Sequence, residues 1–464
     1  VWIRSRQHTG PARTIVILSL QELAKRGVIK NLPASQWNAQ IMLIPKTGKL
    51  PEEAAGMTDP TELLRYFRLV VDFRGVNARL KPWHTQMPTI REMIANIAGK
   101  RLISASDMDK AYWQVAVHPD DQHKLAFRGP DGRTWTWVGA PMGLALSAAA
   151  LAELTRELTS DVERAGLFAD DLLHAADDEE QLLEDWKKLL SNAERIGARL
   201  SPQKTMIGFE GLDKFGYRVS GQAVAIALDR AAAIREWAPV TDKPALKSFL
   251  GTVQYFSWLI PGYSEIAAPL HAMTSKTARF DAEKARPAID RIKGRIVRST
   301  EVSQPDYGKV FIVATDASEM GLGAVLLQPT DDLNHLASIC FASRRLRGGE
   351  CSASVFKKEM LGAIFAYQAF AVFLHGTPAR TILATDHKPV QYVLDARSTD
   401  AQAFRLAERL LAQNPQVVYL RGQDQVADAL SRFNRLDDAR RVLNLPNEGV
   451  FASEERLARA RSAG

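Results

Sequence analysis

The apolar positions change period along the chain, and the changes mark out its elements. In "RTIVILSLQELAKRG", residues 13–27, they recur at helical spacing until Gly27 ends the run. "QIMLIPKTGK" reads as a strand running into a basic turn, and residues 50–66 are acidic and loop-like. "YFRLVVDFRGVN" predicts a strand closed by a Gly-Val-Asn turn. "RLISASDMDKAYWQVAVH" predicts a strand, a turn and a second short element, and "TWTWVGA" alternates like a strand. An Ala/Leu helix is predicted over 144–164, then a hairpin in "GLFADDLLHAA". "DDEEQLLEDWKKLLSNAERIG" predicts a helix whose acidic first turn suits the helix dipole, so its leading carboxylates need no chemical role.

Beyond about residue 230 the pattern turns helical: "RAAAIREWA", "PALKSFLGTVQYFSWLI" and a basic stretch from Glu283 to Arg298. A new unit starts at 306. "KVFIVATDAS" is a strand, "EMGLG" a turn and "AVLLQ" the returning strand. Phe356, Met360, Ala363, Ile364, Tyr367, Phe370 and Leu374 repeat at helical spacing up to Gly376. "TILATDHKPV" is another strand, "QDQVADALSRF" a short helix, and the chain from about Leu436 a charged helical tail.

Length changes this picture little: 464 residues suggest about three domains at roughly 150 residues each. The 46% hydrophobic and 24% charged content is that of a globular chain with several cores. A net charge of +7 fits a polyanionic partner such as nucleic acid. Two cysteines, Cys340 and Cys351, exclude a disulfide scaffold and lack zinc-ligand spacing, which points to a reducing compartment. The start, "VWIRSRQHTG", has neither an apolar signal core nor an initiator Met, and reads as a piece of something longer. The uncharged window Thr134–Ala152 is long enough to raise the question of a membrane span. Gly139, Pro141, Gly143 and Ser147 make it a buried strand, turn and helix instead, so no membrane association is expected.

The candidate chemistry lies in carboxylates. Asp170 and Asp171 sit side by side at the predicted hairpin tip, and Asp107 ends a β-prone run in "SASDMDKAY". A lone Asp pair at a tip is most simply a solvated turn. Three acidic side chains at one sheet edge suit Mg²⁺, a hard ion that takes oxygen ligands. Two such ions can activate an attacking hydroxyl and stabilise a leaving oxygen in phosphoryl transfer. A second cluster follows the same logic. Asp316 and Asp386 each end an apolar β run with Thr-Asp, Glu359 sits on the intervening helix, and Asp428 on the late one.

The run from Ala39 to Ser220 resembles the reverse transcriptase of gypsy-type LTR retrotransposons, the Metaviridae, with its pieces in the family's order. "LIPKTGK" resembles the fingers strand with its phosphate-binding lysine, here Lys46, and "RLVVDFRGVN" the next, whose Arg68 faces the incoming triphosphate. "SASDMDKAYWQV" resembles the first catalytic palm motif, with Asp107 as metal ligand and Tyr112 as an aromatic gate against a 2′-hydroxyl. "APMGLALSAAA" resembles the Phe-Gly-Leu block that lines the template and nucleotide site, with Met142 in place of Phe. "FADD" resembles the Tyr-x-Asp-Asp box, with Phe168 in place of Tyr. "LSPQKTMIGFEGLDKFGYRVS" resembles the region near the primer grip, and "SFLGTVQYFSWLIPGYSEIAAPLHAMTSK" the connection segment. "TDAS", "KKEMLGAI", "TDHKPV" and "VADALSR" resemble the family's ribonuclease H, which carries over Asp316, Glu359, Asp386 and Asp428 as ligands. The catalytic loop histidine of some ribonucleases H has no counterpart in "YLRGQDQVAD".

The resemblance implies an α+β multidomain protein: a right-hand polymerase of fingers, palm and small thumb, followed by a connection and an α/β ribonuclease H-like domain. Expected boundaries are 1–230 for fingers and palm, 231–305 for thumb and connection, 306–435 for ribonuclease H and 436–464 for a charged tail. It implies RNA- and DNA-templated DNA synthesis and cleavage of the RNA strand of a hybrid. Two Mg²⁺ per active site are implied, with Mn²⁺ as a substitute. Implied partners are RNA template, DNA or RNA primer, RNA–DNA hybrid, dNTPs, and Gag-like and integrase proteins from the same polyprotein. The implied location is cytoplasmic, in virus-like particles, with nuclear entry alongside the cDNA; oligomeric state is left open. Two rivals are a catalytically inactive, domesticated nucleic-acid-binding copy and an RNA-synthesising polymerase. All seven carboxylates being present argues against the first, and Tyr112 with the attached nuclease against the second.

Overall fold

The computed structural model describes residues 2–46, 59–83, 85–297, 301–319, 321–331, 335–375, 381–390, 406–410 and 412–419. The chain divides into two compact units, residues 1–93 with 104–208, and 94–103 with 209–464.

In the first unit the helix Gly10–Lys25 buries Ile15, Val16, Leu20 and Leu23 on one face. It starts earlier than the apolar pattern predicts because proline is accommodated in a first turn, where its missing N–H costs nothing. β1 (Ile29–Asn31), β2 (Gln40–Pro45) and β3 (Phe67–Asp72) follow. Residues 60–66, read as loop from their acidity, form a turn of α-helix (Pro60–Leu63) and a 3₁₀ turn (Leu64–Tyr66). Leu63 is buried against Ile15, which gives that segment a reason to coil. The predicted Gly-Val-Asn turn is one turn of helix, Arg74–Asn77.

β4 (Leu102–Asp107) is buried up to its last residue. β5 (Phe127–Arg128) and β6 (Thr134–Trp137) join β1 in the order β1-β6-β5. The helix Ala145–Leu158 ends six residues sooner than expected, and with β6 it divides the long uncharged window. Among the described residues no helix is long and apolar enough to cross a membrane. β7 (Ala165–Phe168) and β8 (Asp171–Ala176) form the predicted hairpin. The helix Glu179–Ile196 starts on Asp178, whose side chain accepts from the Gln181 N–H, and stops at Gly197 with φ +70°. Its buried Trp186, Leu189 and Ala193 share a core with Leu172 of β8. β9 (Met206–Phe209) completes a sheet of order β7-β8-β4-β9.

In the second unit β10 (Gly211–Lys214), β11 (Tyr217–Ser220), β12 (Ala223–Ile226) and β13 (Val302–Ser303) make an antiparallel sheet. Helices Leu228–Arg235, Lys243–Tyr255 and Ala282–Val297 fall in the three stretches the pattern predicts, and a further helix, Tyr263–Met273, lies between the last two. β14 (Ile312–Ala317), β15 (Gly321–Pro329), β16 (Leu336–Arg345), β17 (Ile382–Thr385) and β18 (Gln416–Tyr419) form a sheet of order β16-β15-β14-β17-β18. β14 runs antiparallel to β15 and parallel to β17, with the helix Val355–Ala369 as crossover.

Candidate active sites

Sheet order brings the first carboxylates together. β4 lies beside β8, so Asp107 at the end of one strand and Asp171 at the start of the other meet at one sheet edge. Phe168 pairs with Asp171, leaving a two-residue turn of Ala169 and Asp170. Ala169 is left-handed at φ +56°, a conformation costing an alanine about 1 kcal/mol. The turn is held from β4, since the Met108 N–H donates to the Asp170 carbonyl at 2.8 Å. Asp170 is exposed, while Asp107 and Asp171 are half-buried.

Lys204 is the cation of this cluster, and sequence reasoning assigned it no role. Its Nζ lies 2.8 Å from Asp107 Oδ2. The hydrogen bond to Asp107 raises the lysine above its ordinary range, and the charges of Asp107, Asp170 and Asp171 add to the effect. Three carboxylates acting on one ammonium is the electrostatic mark of their convergence. The segment bearing Lys204 is fastened to β4 by Ser201 N–H to the Asp107 carbonyl (2.8 Å) and by the Ser106 and Thr205 hydroxyls (2.7 Å).

Lys46 and Arg68 share one face of the β2–β3 ribbon. Ile44 pairs with Arg68, and Lys46 N–H donates to the Tyr66 carbonyl, so the two cations are diagonal neighbours, both exposed. Tyr112 lies two residues after Lys110, which is left-handed at φ +50°, and packs half-buried against the core that includes Leu167 and Leu172 of the β7–β8 hairpin. Met142 is 52% exposed in the loop before the helix Ala145–Leu158. That helix has Leu144 at its N-cap, which offers no acceptor. Asn77 does the capping from a distance. Its Oδ1 accepts from Ala145 N–H and its Nδ2 donates to the Gly143 carbonyl, both at 2.9 Å. Nothing in local spacing marks Asn77, because its partners are 66 and 68 residues away.

The second cluster is set by register. Ala314 of β14 pairs with Ala384 of β17 in a parallel ladder, so Asp316 and Asp386, two positions on, emerge at the same sheet end. Glu359 is 6% exposed on the crossover helix. Burial, then the charges of Asp386 and Asp316, push its carboxyl up to about 8. Glu359 Oε2 is buried without a hydrogen-bond partner among the described residues. Asp428 lies outside the described residues.

Among the described residues no three His, Cys, Asp or Glu side chains are gathered closely enough to hold a metal ion as they stand. The donor sets nevertheless fit a hard cation. In the first cluster an ammonium already answers three carboxylates; in the second an orphaned carboxylate oxygen faces two more acidic groups.

The family of reverse transcriptase (RNA-dependent DNA polymerase) domains matches residues 44–238, and that of the RNase H-like domain found in reverse transcriptase matches 306–412. The chain thus carries the polymerase and nuclease domains of a reverse transcriptase. It is similar to the Drosophila melanogaster retrovirus-related Pol polyprotein from transposon opus, 26% identical over 93% of this chain and 43% of that protein. It is also similar to the Schizosaccharomyces pombe transposon Tf2-7 polyprotein, 26% identical over 79% of this chain and 28% of that protein. Its two matched regions are similar, in order and type, to the reverse transcriptase–ribonuclease H region of retrotransposon Pol polyproteins, and the chain spans less than half the length of these relatives. The foamy viral protease-reverse transcriptase in complex with dsDNA has the same fold, with TM-score 0.72, 17% identity, and coverage of 90% of this chain and 84% of that one. The same enzyme in complex with RNA/DNA hybrid gives TM-score 0.73, 16% identity, and coverage of 97% and 57%.

Proposed function

We propose that this chain is an RNA- and DNA-templated DNA polymerase that also cleaves the RNA strand of RNA–DNA hybrids, in the service of copying a retroelement. The observation that carries the polymerase reading is the convergence of Asp107, Asp170 and Asp171 on Lys204 at one sheet edge. Asp107, Asp170 and Asp171 are the residues to hold divalent metal at one site, and Asp316, Glu359, Asp386 and Asp428 at the other. Mg²⁺, two ions per site, supplies Lewis-acid activation of the attacking oxygen and charge stabilisation of the leaving one. Lys46 and Arg68 neutralise the triphosphate of a dNTP, Met142 lines its site, and Tyr112 packs under its sugar and excludes a 2′-hydroxyl. Lys204, paired with Asp107, would offset the charge of the carboxylate cluster while no metal is bound.

Contacts to template, primer and hybrid are expected to be mainly to the backbone, hence salt-sensitive and weakly sequence-dependent. The proposed segments are fingers and palm over 1–230, thumb and connection over 231–305, ribonuclease H over 306–435 and a tail over 436–464. Gag-like and integrase proteins from one polyprotein are the proposed partners, and a virus-like particle the proposed setting. The test is paired. Asp170→Asn is expected to abolish primer extension while hybrid cleavage persists, and Asp316→Asn the reverse. Loss of both activities in either variant would contradict two separate sites.

A further inference from the structure

A cavity of about 520 Å³ in the first unit is used by none of this chemistry. It backs onto the loop that follows Asp107. Arg26, Lys110 and Arg199 line it with Asp109, and its apolar wall includes Val28, Trp113 and Val138. Arg26 is already engaged by Glu22 at 2.7 Å, which leaves Lys110 and Arg199 against the single Asp109, a net positive lining. Lys110 Nζ lies 5.5 Å from the Trp113 ring centroid, so a cation and an aromatic ring share one wall.

The frame is tightly built. Gln114 ties two lining residues together, donating to the Asp109 and Arg199 carbonyls and accepting from the Arg199 N–H at 2.7 Å. Val138 N–H donates to the Val28 carbonyl at 2.9 Å. A side chain on Gly139 would clash with the Trp113 carbonyl oxygen, so glycine is required where the chain at residue 139 passes the Trp113 backbone.

We propose that this cavity binds a nucleoside phosphate at a site separate from the incoming dNTP. Three features select that class. The volume lies in the range of pockets for single small molecules. The cationic excess calls for an anion. The indole and valines call for a planar apolar part as well, which inorganic phosphate lacks. A ligand there touches Lys110 and Gln114, and so bears on the loop that carries Asp107 and Tyr112.

The test is calorimetric titration of ADP into the full chain in EDTA, where metal-dependent triphosphate binding is suppressed. One site is expected, weakened at least tenfold by Arg199→Ala and by Lys110→Ala, and unchanged by Arg68→Ala and Asp170→Asn. Arg199→Ala is expected to fold, since the backbone of Arg199, not its exposed guanidinium, meets Gln114. Pyrophosphate and a short oligonucleotide are expected to bind more weakly than ADP. Absence of binding at millimolar ADP overturns the proposal. So does binding that Arg68→Ala removes and Arg199→Ala spares, or pyrophosphate binding equal to that of ADP. The readout needs no catalysis, so an inactive polymerase leaves the result interpretable.

Discussion

Glu359 makes a quantitative prediction. Its carboxyl, ordinarily titrating near 4.5, is pushed up to about 8 by burial and by Asp386 and Asp316. In the unfolded chain it ionises near 4.5, whereas in the folded chain it holds its proton until about pH 8. The folded state therefore binds the proton more tightly. Stability from this group is complete below pH 4.5, falls by about 1.4 kcal/mol per pH unit above it, and levels off past pH 8. The total is about 5 kcal/mol, and about 3 kcal/mol has been lost by pH 7. Glu359→Gln keeps the shape of the protonated acid and removes the titration. In EDTA the variant is expected to match the wild type at pH 4.5 and to be the more stable by these amounts at pH 7 and 9. Because the chain has two units, hydrogen exchange across Val355–Ala369 is a better readout than a global melt. Mg²⁺ is expected to reverse the order for the wild type alone, with an affinity that rises with pH up to about 8. Parallel pH profiles for the two proteins in EDTA would refute the reasoning.

Other residues give separate tests. Asn77→Ala removes two hydrogen bonds around the Met142 loop and is expected to cost about 1–3 kcal/mol, seen as roughly tenfold slower primer extension; Asn77→Asp, which keeps the acceptor for Ala145, is expected to fall between. Tyr112→Ala is expected to raise ribonucleotide incorporation roughly tenfold or more relative to dNTP, measured as a ratio of kcat/KM values; an unchanged ratio would leave Tyr112 an ordinary core residue. At Gly221 a Cβ would fall 1.8 Å from the Lys100 carbonyl oxygen, so Gly221→Ala is expected to destabilise its unit by about 3 kcal/mol or more, read as a lowered urea midpoint.

What the sequence discloses and what it hides divide along physical lines. Strands and helices with one apolar face were legible: β2, β3, the β7–β8 hairpin and the helix Glu179–Ile196 lie where period and caps place them. Segments whose structure depends on a distant partner were not. Residues 60–66 coil because Leu63 finds Ile15, and the distant cap that Asn77 gives the helix Ala145–Leu158 left no mark in the sequence, although the helix itself did. β16 and β18 went unassigned because a strand's existence rests on its neighbours, here β15 and β17. At the first site the carboxylates were visible as residue types in motifs. The role of Lys204 was not, because its partner Asp107 is 97 residues away. At the second, strand endings announced Asp316 and Asp386, whereas the burial that raises Glu359 is a property of the packed helix alone.

The most direct test of the central claim is primer extension on an RNA template with dNTPs and Mg²⁺, run beside Asp170→Asn. Extension by the wild type that vanishes in the variant is the predicted result. No extension by a folded wild-type protein that still binds hybrid duplex would contradict it, and would make the chain a nucleic-acid-binding module.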